Sequence, residues 1–240
     1  MGFLNTFMTS ALTSLYNFLD MFIKNDNITY GLAIIFFTII VRIILFPLQL
    51  NGTKSMMKTS KVQPEVKILQ DKYKNDPQKL QKETMDLYKK NGINPLGGCI
   101  PMLLQFPFMI AMFAAFRNLP ILDNIGFLFI KSLNGTLSKN YTDFTYFIMP
   151  VLTIITQYLM TKSSAQTQPQ PQRNPKTGKV EGGIDPKIMN LSFTVFIAYF
   201  CFVTNQSFVL YYFISNLLYI AQNYIIKWMV DREELKKKTI

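Results

Sequence analysis

Apolar residues in this chain come in long unbroken blocks rather than in alternation. Five blocks lie near 29–50, 97–116, 144–162, 188–203 and 208–228, and none contains an acidic residue. Continuous blocks of this length predict bilayer-crossing helices, because the hydrocarbon core takes about 20 helical residues. Closed barrels need short alternating segments instead. The fourth block, about 16 residues, is at or below the usual length and fits a locally thinned bilayer. Pro101 and Pro107 predict a kink in the second. The turn Thr204-Asn205-Gln206-Ser207 makes the last two a tight helical hairpin.

Other patterns fill the space between. In residues 3–23, Phe3, Phe7, Ala11, Leu15, Leu19 and Phe22 recur at helical spacing, with Asn5, Thr9, Thr13, Asn17 and Asp20 on another face. Residues 1–27 therefore predict an extracytoplasmic amphipathic helix lying in the membrane interface. Between the first two blocks, Val62, Val66, Leu69 and Tyr73 make one apolar stripe, and Leu80, Thr84 and Leu87 or Tyr88 a second. Asn75-Asp76-Pro77 stops one helix and starts the next, and Gly92 closes it. Residues 60–92 thus predict a cytoplasmic helical hairpin with lysine-rich outer faces, Lys61, Lys67, Lys72, Lys79 and Lys82 among them. As chemistry it is a solvated hairpin; as a surface it suits something amphipathic or anionic. Residues 163–187, rich in Gln, Pro and Gly, predict a flexible loop, and 229–240 a basic tail.

Charge orients these elements. The loop 51–96 holds 10 lysines against 5 acids, and with Lys162 and the loop 163–187, and with Lys227 and the C-terminal segment, it places 20 of the 25 basic residues on one side. Only Lys24, Arg117, Lys131 and Lys139 fall on the other. Positive-inside bias then puts the N-terminus outside and the C-terminus in the cytoplasm. The net charge of +11 is mostly this topology signal, and no nucleic-acid motif accompanies it.

Histidine is absent, which removes His-based acid–base chemistry, Ser-His triads and most zinc sites. Cys99 and Cys201 sit in different apolar blocks and read as small core residues. No phosphate-binding loop is visible. No cofactor, metal or covalent chemistry is expected. The first basic residue, Lys24, follows the first apolar stretch, so a secretory signal is not expected.

Arg42 lies inside the first apolar block. A guanidinium at membrane depth costs about 2.5–3.5 kcal/mol on insertion scales. With none of the 14 acidic residues in an apolar block, its charge faces water or meets an anion on another molecule. Thr38 and Gln49 share its helical face; Thr153, Thr156 and Gln157 form a stripe on the third block. Tyr212, Ser215, Asn216, Tyr219, Gln222 and Asn223 line the fifth; Gln105 sits on the second, and Asn190 and Thr194 on the fourth. Each could serve as packing glue across a helix interface. Together, around an arginine, they point to a wetted intramembrane cavity that attracts acidic groups. Proton and cation carriers place Asp, Glu or His in the membrane instead.

The run Asn94-Pro-Leu-Gly-Gly-Cys-Ile-Pro-Met-Leu-Leu-Gln-Phe-Pro107 resembles the signature of YidC/Oxa/Alb membrane protein insertases. Arg42-Ile-Ile-Leu-Phe-Pro-Leu and Val209-Leu-Tyr-Tyr-Phe-Ile-Ser-Asn216, followed by Gln222, look like its other landmarks, over about residues 28–228. The resemblance implies an all-α integral membrane protein of five transmembrane helices around a hydrophilic groove, open to cytoplasm and lipid and closed outside. It implies insertion of nascent membrane proteins by a monomer in the bacterial cytoplasmic membrane, with membrane lipids, the ribosome and the Sec translocon as further partners. The groove set is then Arg42, Thr38, Gln49, Gln105, Thr156, Gln157, Tyr212 and Asn216. Arg42 falls on the family's groove arginine and Tyr212 where relatives carry an aromatic. Met160 stands where Gram-positive relatives often have Gln. The chain looks like a short Gram-positive-type member without a large periplasmic domain or lipoprotein signal, and its brief C-terminal tail implies weak ribosome tethering. A small-anion or lipid transporter, or a structural subunit of a larger translocation complex, would use the same features.

Overall fold

The computed structural model describes residues 2–74, 76–94, 100–117, 125–165 and 186–238. Among them the fold is all-helical. Seven helices follow in order: α1 Gly2–Ile23, α2 Asp26–Lys72, α3 Pro77–Lys90, α4 Ile100–Arg117, α5 Thr145–Ala165, α6 Pro186–Val203 and α7 Gln206–Lys238. By length and apolar composition α2 and α7 qualify as membrane spans among the described residues, with a shorter apolar stretch over Asn190–Val203. The polar stripe of α5, with Thr153, Thr156 and Gln157, dilutes its apolar character.

Two helices are longer than their apolar blocks. α2 continues through Pro47 and Pro64 for 47 residues, so the first arm of the hairpin expected over 60–92 is the extension of the first apolar helix. α7 runs on through the basic segment to Lys238.

The chain divides into two compact units, one of Met1–Leu45, Leu104–Met160 and Ser192–Ala221, the other of Phe46–Leu103, Thr161–Leu191 and Gln222–Ile240. The first holds the main core. Leu12 of α1, Ile34 of α2, Met112 and Phe116 of α4, Ile197 and Cys201 of α6, and Phe208–Tyr212 of α7 are buried together. Aromatic rings knit it: Phe208 packs edge-on against Phe200 at 5.1 Å and lies stacked with Tyr212 at 6.1 Å. Such ring pairs add about 0.5–1.5 kcal/mol beyond their burial.

α1 belongs to this core. Tyr16 stacks on Tyr30 at 3.9 Å and donates a 2.6 Å hydrogen bond to Asp26. That clamp sets the helix's rotation, so Met8 and Leu12 are buried while Phe7, Phe18 and Phe22 stay exposed. Of the Phe3–Phe22 stripe, Ala11, Leu15 and Leu19 pack partly buried against this core, whereas Phe7 and Phe22 are exposed. Between α1 and α2 an apolar cleft of about 540 Å³ remains, lined by Phe7, Ala11 and Leu15 against Val41, Ile44 and Leu45.

The segment 125–144 is ordered without regular structure. Leu133 donates to the Ile125 carbonyl, Gln206 to Gly135 and Ser207 to Leu133, so its backbone groups are satisfied by itself and by the start of α7. Gly31 lets it close onto α2, since a Cβ there would collide with the Phe127 ring. Lys131 and Asp143 pair at 2.5 Å, and Asp143 also accepts from the Thr145 hydroxyl and amide at 2.7 and 3.1 Å.

In the second unit Val62, Val66 and Ile93 are buried. Lys54 pairs with Glu233 at 2.8 Å, Ser55 donates to the Asn94 carbonyl at 2.9 Å, and Asn223 donates to Ser163 at 3.0 Å. Asp76 caps α3, accepting from the Lys79 amide at 3.0 Å, with Pro77 in the first helical turn.

Candidate polar groove

Three elements of the first unit bring polar side chains together. α2 presents Arg42, α5 presents Thr153, Thr156 and Gln157, and α7 presents Tyr212, Ser215, Asn216 and Tyr219. Positions 212, 215, 216 and 219 recur at three and four, so they share one face of α7.

Arg42 is half-buried. Its Nε and one terminal nitrogen both donate to Ser215 Oγ, at 3.0 and 2.5 Å. Its guanidinium carbon lies 5.6 Å from the centre of the Tyr219 ring, within cation–π range. Both groups are neutral, so they hold the guanidinium in place without cancelling its charge.

One helical turn away along α7, the polar seam continues against α5. The Tyr212 hydroxyl donates to Gln157 Oε1 at 3.2 Å, and the Asn216 amide reaches Gln157 Oε1 at 3.3 Å and Thr156 Oγ1 at 3.4 Å. Gln157, Tyr212 and Asn216 are nearly fully buried, so each needs such a partner. Their distances lie at the long end of hydrogen-bond geometry. Thr153 reaches the Val209 carbonyl at 3.5 Å.

The remaining sequence-selected positions lie differently. Thr38 is buried and donates its hydroxyl to the Ile34 carbonyl of its own helix at 2.6 Å. Gln49 is buried in the second unit, where its Nε2 has no hydrogen-bond partner. Gln105 lies on α4, but its side chain is outside the described residues. So are Pro95 to Cys99 of the signature run, the loop 166–185 and Pro101 and Pro107 as side chains. Ser215 and Tyr219, the contacts of Arg42, stood out in sequence only as members of the α7 stripe; helical spacing says which residues share a face, not which helix they meet.

The hairpin lysines Lys61, Lys67, Lys72, Lys79 and Lys82 are all exposed. Lys72 and Lys79 each sit 5.2 Å over the Tyr73 ring, one from α2 and one from α3. Tyr88 of α3 is half-buried, and that burial pushes its hydroxyl above its ordinary pKa. Among the described residues no group of three or more His, Cys, Asp or Glu is placed to hold a metal ion.

A family model described as 60Kd inner membrane protein matches residues 22–233. A protein named membrane protein insertase YidC from Clostridium tetani is 32% identical over 241 residues, 99% of this chain and 99% of that protein. Its namesake from Clostridium perfringens is 32% identical over 240 residues, 96% of this chain and 94% of that protein. A solved structure, described as an active YidC insertase with the first transmembrane domain resolved, matches at a TM-score of 0.55 and 24% identity, covering 90% of this chain and 45% of that one. At that identity the structural match bears on the fold alone.

Proposed function

The chain belongs to the 60Kd inner membrane protein family, and from that premise we propose that it is a membrane protein insertase of the bacterial cytoplasmic membrane. The support is the near full-length similarity to relatives named as insertases, with an all-helical fold like that of a solved insertase.

Its five spans near 29–50, 97–116, 144–162, 188–203 and 208–228 would stand with the N-terminus outside and the C-terminus in the cytoplasm. The charge asymmetry supports that orientation. Small single- or double-spanning clients are collected at the lysine-rich hairpin. Their hydrophilic outer segment enters the polar seam between Arg42 and the Gln157–Tyr212–Asn216 cluster. Arg42 offsets the desolvation of acidic client residues there. At an effective dielectric of 20 and about 4 Å the gross attraction is on the order of 4 kcal/mol before desolvation, enough to recruit and weak enough to release. The apolar segment then passes into lipid. Apolar transfer drives the step, and the membrane potential helps to pull acidic segments outward. Within the cluster, Gln157 accepts from both Tyr212 and Asn216, so these three buried side chains have partners without a client.

The direct test is reconstitution of the purified chain in liposomes with a short client. Protease protection of the client above that of empty liposomes supports the insertase. Flux of a small anion without client protection would favour the transporter, and activity only with added translocon subunits would favour a structural role.

A further inference from the structure

The two-residue turn at Leu128 and Phe129 is built against the usual rules. Phe127 and Ile130 exchange both backbone hydrogen bonds at 2.8 Å, forming the base of a minimal hairpin. Leu128 has a φ of +53°, the left-handed conformation that such turns require and that Gly, Asn or Asp normally supplies. Its side chain is 83% exposed, and Phe129 is 42% exposed. A polar turn residue would relieve the strain and solvate well. Strain and apolar exposure at one position point to a function rather than to folding.

The base of the turn is rigid. Phe127 and Ile130 are buried, the Gly126 amide donates to Asn27 Oδ1 at 2.9 Å, and Phe127 lies against Gly31. The tip is therefore presented by a fixed platform beside the start of α2. The end of α1 reaches the same place, and its Met21 and Phe22 are also exposed. Lys24 follows Met21 and Phe22 in the chain and is exposed, whereas Lys131, next to the turn, is paired with Asp143. Apolar side chains beside an ammonium group at the end of a helical bundle are the chemistry of an interfacial membrane anchor.

We propose that Leu128 and Phe129 insert into the acyl boundary of the extracytoplasmic leaflet and, with Met21 and Phe22, fix the depth of this end of the protein in the membrane. The partner is a lipid surface. A specific protein interface buries about 1,200–2,000 Å², far beyond what a two-residue tip supplies. A lipid boundary accepts a small wedge. The proposal requires residence in the membrane but not the insertase activity, since the same tip would anchor a transporter.

The test places a single tryptophan at the tip. Trp228 is the only tryptophan of the chain, so Trp228→Phe supplies a silent background. Phe129→Trp is the main probe, because it leaves the strained Leu128 in place; Leu128→Trp is the second. Each full-length variant is reconstituted in phosphatidylglycerol-containing vesicles. The inference expects blue-shifted emission, quenched by lipids carrying a nitroxide high on the acyl chain and protected from aqueous acrylamide. Red-shifted emission open to acrylamide and insensitive to the lipid nitroxide would overturn it. So would blue-shifted emission that neither quencher reaches, which would mean a protein covers the tip. Client protection measured on the same vesicles keeps this outcome separate from the insertase activity.

Discussion

Arg42 and Ser215, 173 residues apart in the chain, are joined by two hydrogen bonds from one guanidinium to one hydroxyl oxygen. Ser215 is buried, so its oxygen is reserved for Arg42 rather than shared with bulk water. The arrangement fixes the direction of the arginine through a neutral acceptor. Ser215→Ala removes the acceptor. Hydrogen bonds between transmembrane helices average about 0.6 kcal/mol, whereas those to charged groups contribute about 1.5–3 kcal/mol. The charged donor places this loss toward the upper range. Thermal unfolding in detergent should fall for Ser215→Ala and be largely restored in Ser215→Thr, which keeps the oxygen. Equal stability of Ser215→Ala and wild type would remove the pair from the account.

The closure of segment 125–144 onto α2 depends on Gly31. A methyl group there meets the Phe127 ring, so Gly31→Ala should cost about 1–3 kcal/mol through overpacking. Gly31→Ala with Phe127→Leu should recover part of the loss. Unfolding midpoints of the single and double variants decide it, and additive losses would argue against the contact.

Asp143 gives this segment a pH dependence. The Lys131 ammonium, then the Thr145 hydroxyl and amide, hold its carboxyl well below the usual range, at about 2. A depressed folded-state pKa stabilises above the unfolded value and loses that contribution as pH falls from about 4 to about 2. The protection factor of the Thr145 amide, taken relative to its intrinsic exchange rate at each pH, should therefore fall through that window in wild type. In Asp143→Asn it should be low and flat over the same window; an unchanged fall would contradict the pairing.

The hairpin rests on the Asp76 cap. Asp76→Ala should lower the stability of α3 by about 1 kcal/mol, while Asp76→Ser should keep most of it. Hydrogen exchange at the Lys79 amide, which Asp76 accepts from, reports this directly. No change in its protection would show that tertiary packing, not the cap, holds the helix.

The long apolar blocks announced an all-helical membrane protein, and Asp76-Pro77 announced where α3 begins. Other features were hidden for identifiable reasons. The first apolar block and the first arm of the hairpin are one helix, α2, which passes through Pro47 and Pro64, and no sequence pattern shows that continuity. The packing of α1 onto the core through Met8, Leu12 and the Tyr16–Tyr30 stack joins residues that no periodicity connects. The segment 125–144 has no period at all, and its order comes from backbone bonds to α7. In the candidate groove, Arg42, Gln157, Tyr212 and Asn216 stand out by polarity within apolar surroundings. Their partners were not legible, since a single sequence carries no information on which helical faces meet.

The central claim is that Arg42 acts through its charge on acidic client segments. Clients with acidic and with neutral outer segments are inserted into liposomes containing wild type, Arg42→Lys or Arg42→Ala, and protease protection is compared. The account predicts that Arg42→Lys retains much of the activity and that Arg42→Ala loses most for acidic clients and little for neutral ones. Equal losses for acidic and neutral clients would contradict it.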